Sequence, residues 1–242
     1  AEAFGTLAEL YPGRIDLGLG RAPGTDGPTM RALRRDRVET EEDFPRDVAE
    51  LQRLLGPAQP GQRITAVPGA GTHVPIWLLG SSLFSAQLAA HMGLPYAFAS
   101  HFAPRMLLQA LALYRQLFRP SATLAKPYVV VGVPVVAAPT DAEAEFLASS
   151  TYQRVLGILT GRRGQLPAPV ENFMATLGPQ ERAGIADCLA AAVIGGPDTV
   201  RAGFAALAQA TQADEFMLVS DVFDPALRLR SLDIAAAAQA TL

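Results

Sequence analysis

The chain has 242 residues, half of them hydrophobic and 18% charged, with a formal net charge of −3 at pH 7. That balance supplies ample core, excludes a disordered chain, and lacks the basic excess of a nucleic-acid footprint. The single cysteine, Cys188, excludes an internal disulfide and a Cys-rich zinc site; no apolar run reaches membrane-spanning length and no signal peptide is visible. The expectation is a cytoplasmic protein with no membrane and no nucleic-acid partner.

The first element is a helix, "AEAFGTLAELYPG", in which Phe4, Leu7, Ala8 and Tyr11 fall at i, i+3, i+4 and i+7. Such a stripe needs a surface to pack on. Pro12 and Gly13 break the helix, and "RIDLGLG" (14–20) alternates Ile15, Leu17 and Leu19 as a strand. Arg21 follows, then the glycine- and proline-rich "APGTDGP". The charges of "RALRRDRVETEEDF" (31–44) largely cancel, which reads as a solvated loop and helix start. A helix over 46–55 places Val48, Leu51 and Leu55 on one face and stops at Gly56.

"VPIWLLG" (74–80) is a continuous apolar run, the mark of a strand covered on both faces. The helix "SSLFSAQLAAHMG" (81–93) opens with serines and closes at Gly93, with His91 placed to suit its dipole. "LPYAFASHF" (94–102) reads as a buried strand, and 104–118 as a helix with Pro104 in its first turn. "PYVVVGVPVVAA" (127–138) is the strongest strand. "TDAE" (140–143) is a capping box for a helix reaching about Gly161, followed by a loop over 161–173. Helices are expected over roughly 179–193 and 195–210, a strand at 215–220, and a closing helix over 224–239 capped by Asp224.

The pattern is a helix followed by repeated β-α units, five strands in all, with no composition break that marks a linker. Alternation of this kind builds a parallel sheet, either doubly wound or closed into a barrel. The glycines at 18, 20 and 24 miss the dinucleotide-binding spacing, and the helix after them is too far away to receive a pyrophosphate. No P-loop and no G-x-S-x-G elbow occurs. Ligands of parallel α/β folds bind at the C-terminal ends of the strands. Arg21 lies just past one strand end; Gly80, Ser81, Ser82 and Ser85 lie at the next, where a helix begins. A guanidinium, hydroxyls and a helix N-terminus suit a phosphate. Ordinary capping by Ser81 or Ser82 is the plainer account of the serines.

Three stretches, "AEAFGTLAELYPGRIDLGLGRAPGTD", "VPIWLLGSSLFSAQLAAHMGLPYAFASHF" and "GGPDTVRAGFAAL", resemble the bacterial luciferase-like monooxygenases, over essentially the whole chain. The resemblance implies one domain over 1–242, the C-terminal portion of a (β/α)8 barrel. It also implies that three β-α units, about 90 residues, precede the strand at 14–20, so that five parallel strands form an incomplete barrel. An incomplete barrel exposes its first and last strands as open edges and invites association. The implied cofactor is reduced FMN, or the deazaflavin F420 in some branches, with Arg21, Ser82 and Ser85 on its phosphate and Ser81 and Gly80 beside them. Reduced flavin activates O2 for a small organic substrate, while the protein anchors, orients and excludes water. A flavin reductase that supplies reduced flavin, and a second copy of the chain, are the expected partners.

His101 and Phe102 end the strand at 94–102 and are candidates for the substrate pocket, although a polar strand end is the plainer account of His101. Ser220 and Asp221 end the last strand and face either the pocket or the next helix. Trp77 and Cys188 suit the core, and His73 a solvated loop. Two other functions compete: a barrel isomerase or lyase binding a phosphorylated metabolite, and a non-catalytic flavin-binding protein on the same scaffold.

Overall fold

The computed structural model describes residues 1–21, 29, 32, 43–101, 103–162 and 164–239. In chain order the elements are α1 (Glu2–Leu10), β1 (Leu17–Gly20), α2 (Asp43–Leu55), β2 (Ile76–Gly80), α3 (Leu83–Met92) and β3 (Tyr96–Phe98). There follow α4 (Leu107–Leu117), β4 (Val129–Ala137), α5 (Asp141–Leu159), α6 (Pro179–Cys188), β5 (Val193–Gly195), α7 (Pro197–Thr211), β6 (Glu215–Val219) and α8 (Pro225–Gln239). The hydrogen-bonded strand order is β1-β2-β3-β4-β5, with β6 also paired to β4. The five expected strands therefore follow chain order. No pairing among the described residues joins β1 to β5 or β6, so the sheet is open.

Contacts divide the chain into two compact units. The first holds residues Ala1–Gly80, Phe84–Tyr96 and Tyr114–Pro127; the second holds Ser81–Leu83, Ala97–Leu113 and Tyr128–Leu242.

In the first unit β1 and β2 run parallel, with Leu17 opposite Ile76, Gly18 opposite Trp77 and Gly20 opposite Leu79. Gly18 has a packing reason to be bare: a Cβ there would lie 2.9 Å from Cδ1 of Leu79. Leu17, Ile76, Leu78, Ala86, Ala89, Ala90, Leu94 and Tyr96 form the buried set of these elements. The stripe expected on α1 packs only in part: Phe4 and Ala8 are half-buried. Leu7 and Tyr11 remain 39% and 48% exposed, and the buried residue is Gly5, whose missing side chain lets α1 approach the backbone of Gly69. Helix α3 stops at Gly93, in the left-handed region at φ 61°, where a Cβ would meet the Arg119 carbonyl at 2.5 Å.

In the second unit β4 is buried along its whole length. It pairs with β6 from Val130 to Pro134 and with β5 from Val135 to Ala137. The partner changes at proline, the residue that has no N–H to give a ladder. The core behind β4 gathers Val136, Ala144, Leu147, Ala148, Tyr152, Ile185 and Val222. Ser231 of α8 accepts from the Ala137 N–H at 2.8 Å, and Asp141 accepts from the Gly196 N–H at 2.6 Å.

β5 corrects the sequence reading, which ran a helix through 179–193. Helix α6 ends at Cys188, and the β-branched Val193 and Ile194 take the free pairing positions of β4. β3 is also shorter than expected. After Phe98 the Ser100 N–H turns back to the Phe98 carbonyl, and the Ala103 N–H to that of Ala99. Ser100 and His101 therefore stand in a turn just past the strand.

Candidate functional site

Within the first unit, β1 and β2 end side by side at Gly20 and Gly80. Arg21 is the next residue after β1. Its guanidinium lies over the ring of Phe84, 4.4 Å from the ring centroid, in the first turn of α3. A cation is thus held at the N-terminal end of a helix, the positive end of its dipole.

Gly80 is a position where no side chain fits. A Cβ would come within 2.2 Å of the Ser85 Oγ. Ser85 is 8% exposed, and its hydroxyl meets the hydroxyl of the fully buried Tyr96 at 3.0 Å. Burial pushes the Tyr96 phenol up to about 12, and the bond to Ser85 works against that rise. Tyr96 packs on Tyr114 at 5.4 Å between ring centroids, and the Tyr114 hydroxyl donates to the Leu94 carbonyl at 2.8 Å. The strand-end turn, the first turn of α3 and the start of β3 are thereby fixed to one another through buried side chains. Ser81 and Ser82 form the bend between Gly80 and α3; Ser81 is half-buried and Ser82 exposed.

Within the second unit, Ser100 and His101 follow the end of β3, and Ser220 and Asp221 follow the end of β6. The Ser100 hydroxyl donates to the Gly132 carbonyl at 2.6 Å. Gly132 gives the His101 ring its place, since a Cβ there would lie 2.5 Å from Nδ1. Asp221 accepts from Arg154 of α5 at 2.5 Å, a pair about two-thirds or more buried on each side. Burial holds the His101 imidazole below its ordinary 6.5; Arg154 lowers it further, and Asp221 opposes both. Phe102 lies outside the described residues, as does most of the glycine-rich stretch after Arg21.

Sequence reasoning missed Phe84, Tyr96 and Arg154. Arg154 carried a signal: Ser150, Thr151, Gly157 and Ile158 occupy its i±3 and i±4 positions, so no carboxylate on its own helix can pair with it.

Residues 1–214 match the family model described as luciferase-like monooxygenase. A protein of Escherichia coli strain K12 with that name is 50% identical over 235 residues, covering 97% of this chain and 70% of that protein. The solved structure of apo-MsnO8 is 35% identical, with a TM-score of 0.87 over 100% of this chain and 73% of that one. Two further structures share the fold at lower identity. The oxygenating constituent of 3,6-diketocamphane monooxygenase from Pseudomonas putida, in complex with FMN, is 17% identical with a TM-score of 0.62, over 96% of this chain and 73% of that one. An F420-dependent secondary alcohol dehydrogenase, in complex with an F420–acetone adduct, is 14% identical with a TM-score of 0.65, over 98% and 73%.

Proposed function

Because this chain belongs to the luciferase-like monooxygenase family, we propose that it oxygenates a small organic substrate with O2 and reduced FMN. When bound, reduced flavin supplies the electrons that activate O2. The relative solved with FMN supports that cofactor, and the one solved with F420 keeps the deazaflavin as the alternative.

The observation that carries the reading is the Arg21 guanidinium stacked on Phe84, in the first turn of the helix that follows Gly80. The donor set suits a phosphate monoester. Arg21 offers a planar fork of N–H groups, with its guanidinium carbon over the Phe84 ring. The N–H groups of α3 and the Ser81 and Ser82 hydroxyls add neutral donors. Gly80 leaves room for the Ser85 side chain, which meets the Tyr96 hydroxyl and holds that turn. His101 is on the substrate side. Reduced flavin comes from a separate flavin reductase.

Titration with FMN and with riboflavin tests the phosphate role. Arg21→Ala is expected to weaken FMN binding by about 1.5–3 kcal/mol, the range for hydrogen bonds to a charged group. Riboflavin, which has no phosphate, should lose far less. Equal losses for the two ligands would remove Arg21 from the site. Binding of phosphorylated sugars in place of FMN would favour an isomerase or lyase.

A further inference from the structure

The first unit holds a charge arrangement that the phosphate reading leaves unexplained. Arg21 is exposed and lies at the N-terminal end of α3, where the helix dipole is also positive. Like charges repel, so the cation needs a partner that keeps it there before an anion arrives. We propose that Phe84 is a positioning residue for Arg21, its ring face holding the guanidinium at the helix end, ready for the phosphate monoester of a flavin. The inference rests on the reading of Arg21 as a phosphate ligand.

Three observations support it. First, the contact is direct: the Arg21 Cζ lies 4.4 Å from the Phe84 ring centroid, inside the range of about 6 Å over which a ring quadrupole attracts a cation. Second, the ring stands on a fixed base. Phe84 is half-buried, and the next residue, Ser85, is 8% exposed with its hydroxyl 3.0 Å from that of the fully buried Tyr96. Ala86, Ala89 and Ala90 of the same helix are fully buried. The strand end is fixed as well, since Gly20, the residue before Arg21, pairs with Leu79 of β2. Third, the chemistry suits an anion site. A ring face attracts a guanidinium without neutralising it, whereas a carboxylate competes with a phosphate for the same N–H groups. Phe84 thereby lowers the cost of ordering Arg21 when the ligand binds.

The test is a set of flavin fluorescence titrations with FMN and with riboflavin. They use Phe84→Leu and a series in which Phe84 is replaced by phenylalanines carrying progressively more ring fluorines. Fluorination drains the negative ring face while nearly keeping the shape of the side chain. FMN affinity should fall about two- to fivefold in Phe84→Leu, the worth of an exposed cation–π contact, and should fall stepwise along the fluorinated series. Riboflavin affinity should stay level in every variant. In an Arg21→Ala background the fluorinated series should no longer alter FMN binding. The proposal is overturned if fluorination leaves FMN affinity unchanged, if riboflavin loses as much as FMN, or if the series still acts without Arg21. Should Phe84→Leu fail to fold, the fluorinated series still decides. Arg21→Ala alone separates the two readings. A loss confined to FMN in that variant, together with a flat fluorinated series, rejects the role of Phe84 and keeps that of Arg21; no selective loss in that variant rejects both.

Discussion

Ser85 and Tyr96 show how a single hydroxyl pair can set the cost of a site. Replacing Ser85 by Ala removes the group that meets the Tyr96 hydroxyl at 3.0 Å in a fully buried setting. The expected loss is about 1–3 kcal/mol, read from urea unfolding midpoints. The Tyr96 phenol, raised from 10.0 to about 12, favours the folded chain while it stays protonated. That stability is present below pH 10 and is lost as pH rises through about 12. Tyr96→Phe should flatten this alkaline limb. His101 has the opposite sign. Its folded value lies below 6.5, so the unfolded chain binds the proton more readily. Its stability contribution is present above pH 6.5 and is lost as pH falls through the lower, folded value. Unfolding midpoints measured across that range should fall less steeply in His101→Gln.

At the scale of the element, β4 is a valine strand with one glycine. Gly132→Ala would put a methyl group 2.5 Å from the His101 Nδ1, which the ring can escape only by moving. The expected cost is about 1–3 kcal/mol, as for other overpacked cores. His101→Ala in the same chain should recover part of it, and a double-mutant cycle on unfolding free energies measures the coupling. Elements of this kind differ in how much they disclose beforehand. β2 and β4 are legible because unbroken apolar runs between turn signals have few alternatives. β5 is not, because "LAAAVIG" offers only two β-branched residues and gains its pairing from β4, nearly 60 residues earlier. The stripe on α1 told only part of the packing, because the fully buried residue is a glycine, and absence of a side chain leaves no hydrophobic mark. The strand–Gly–Ser–helix order gave away Arg21, Gly80 and the serines as candidates. The lack of a carboxylate at its i±3 and i±4 positions marked Arg154, but its partner lies on a distant segment that no local spacing reveals.

For the whole molecule, the two compact units are interleaved in sequence. Residues 97–113 belong with 128–242, although 114–127 belong with the first unit. A fragment beginning at Tyr128 therefore lacks Ser100 and its bond to Gly132, as well as the Arg105 partner of Asp187 at 2.5 Å. It is expected to melt at a lower temperature, and over a broader range, than a fragment beginning at Ala97. Circular dichroism melts of the two fragments compare them directly. Equal melting would mean that 97–127 adds nothing to the fold of the second unit.

The same interleaving governs how this gene can be shuffled with a homologous one. The chain passes between the units at residues 80/81, 83/84, 96/97, 113/114 and 127/128. A single crossover after Pro127 inherits the first unit whole from one parent, yet it takes 81–83 and 97–113 from that parent and 128–242 of the second unit from the other. A crossover earlier in the 81–127 interval mixes the parentage of both units. Surviving chimaeras with a crossover after Pro127 should therefore need either two further crossovers bracketing residues 97–113 or parents that agree at the Ser100, His101 and Gly132 positions. Sequencing the functional survivors of such a library would expose the constraint as linked inheritance of positions 101 and 132.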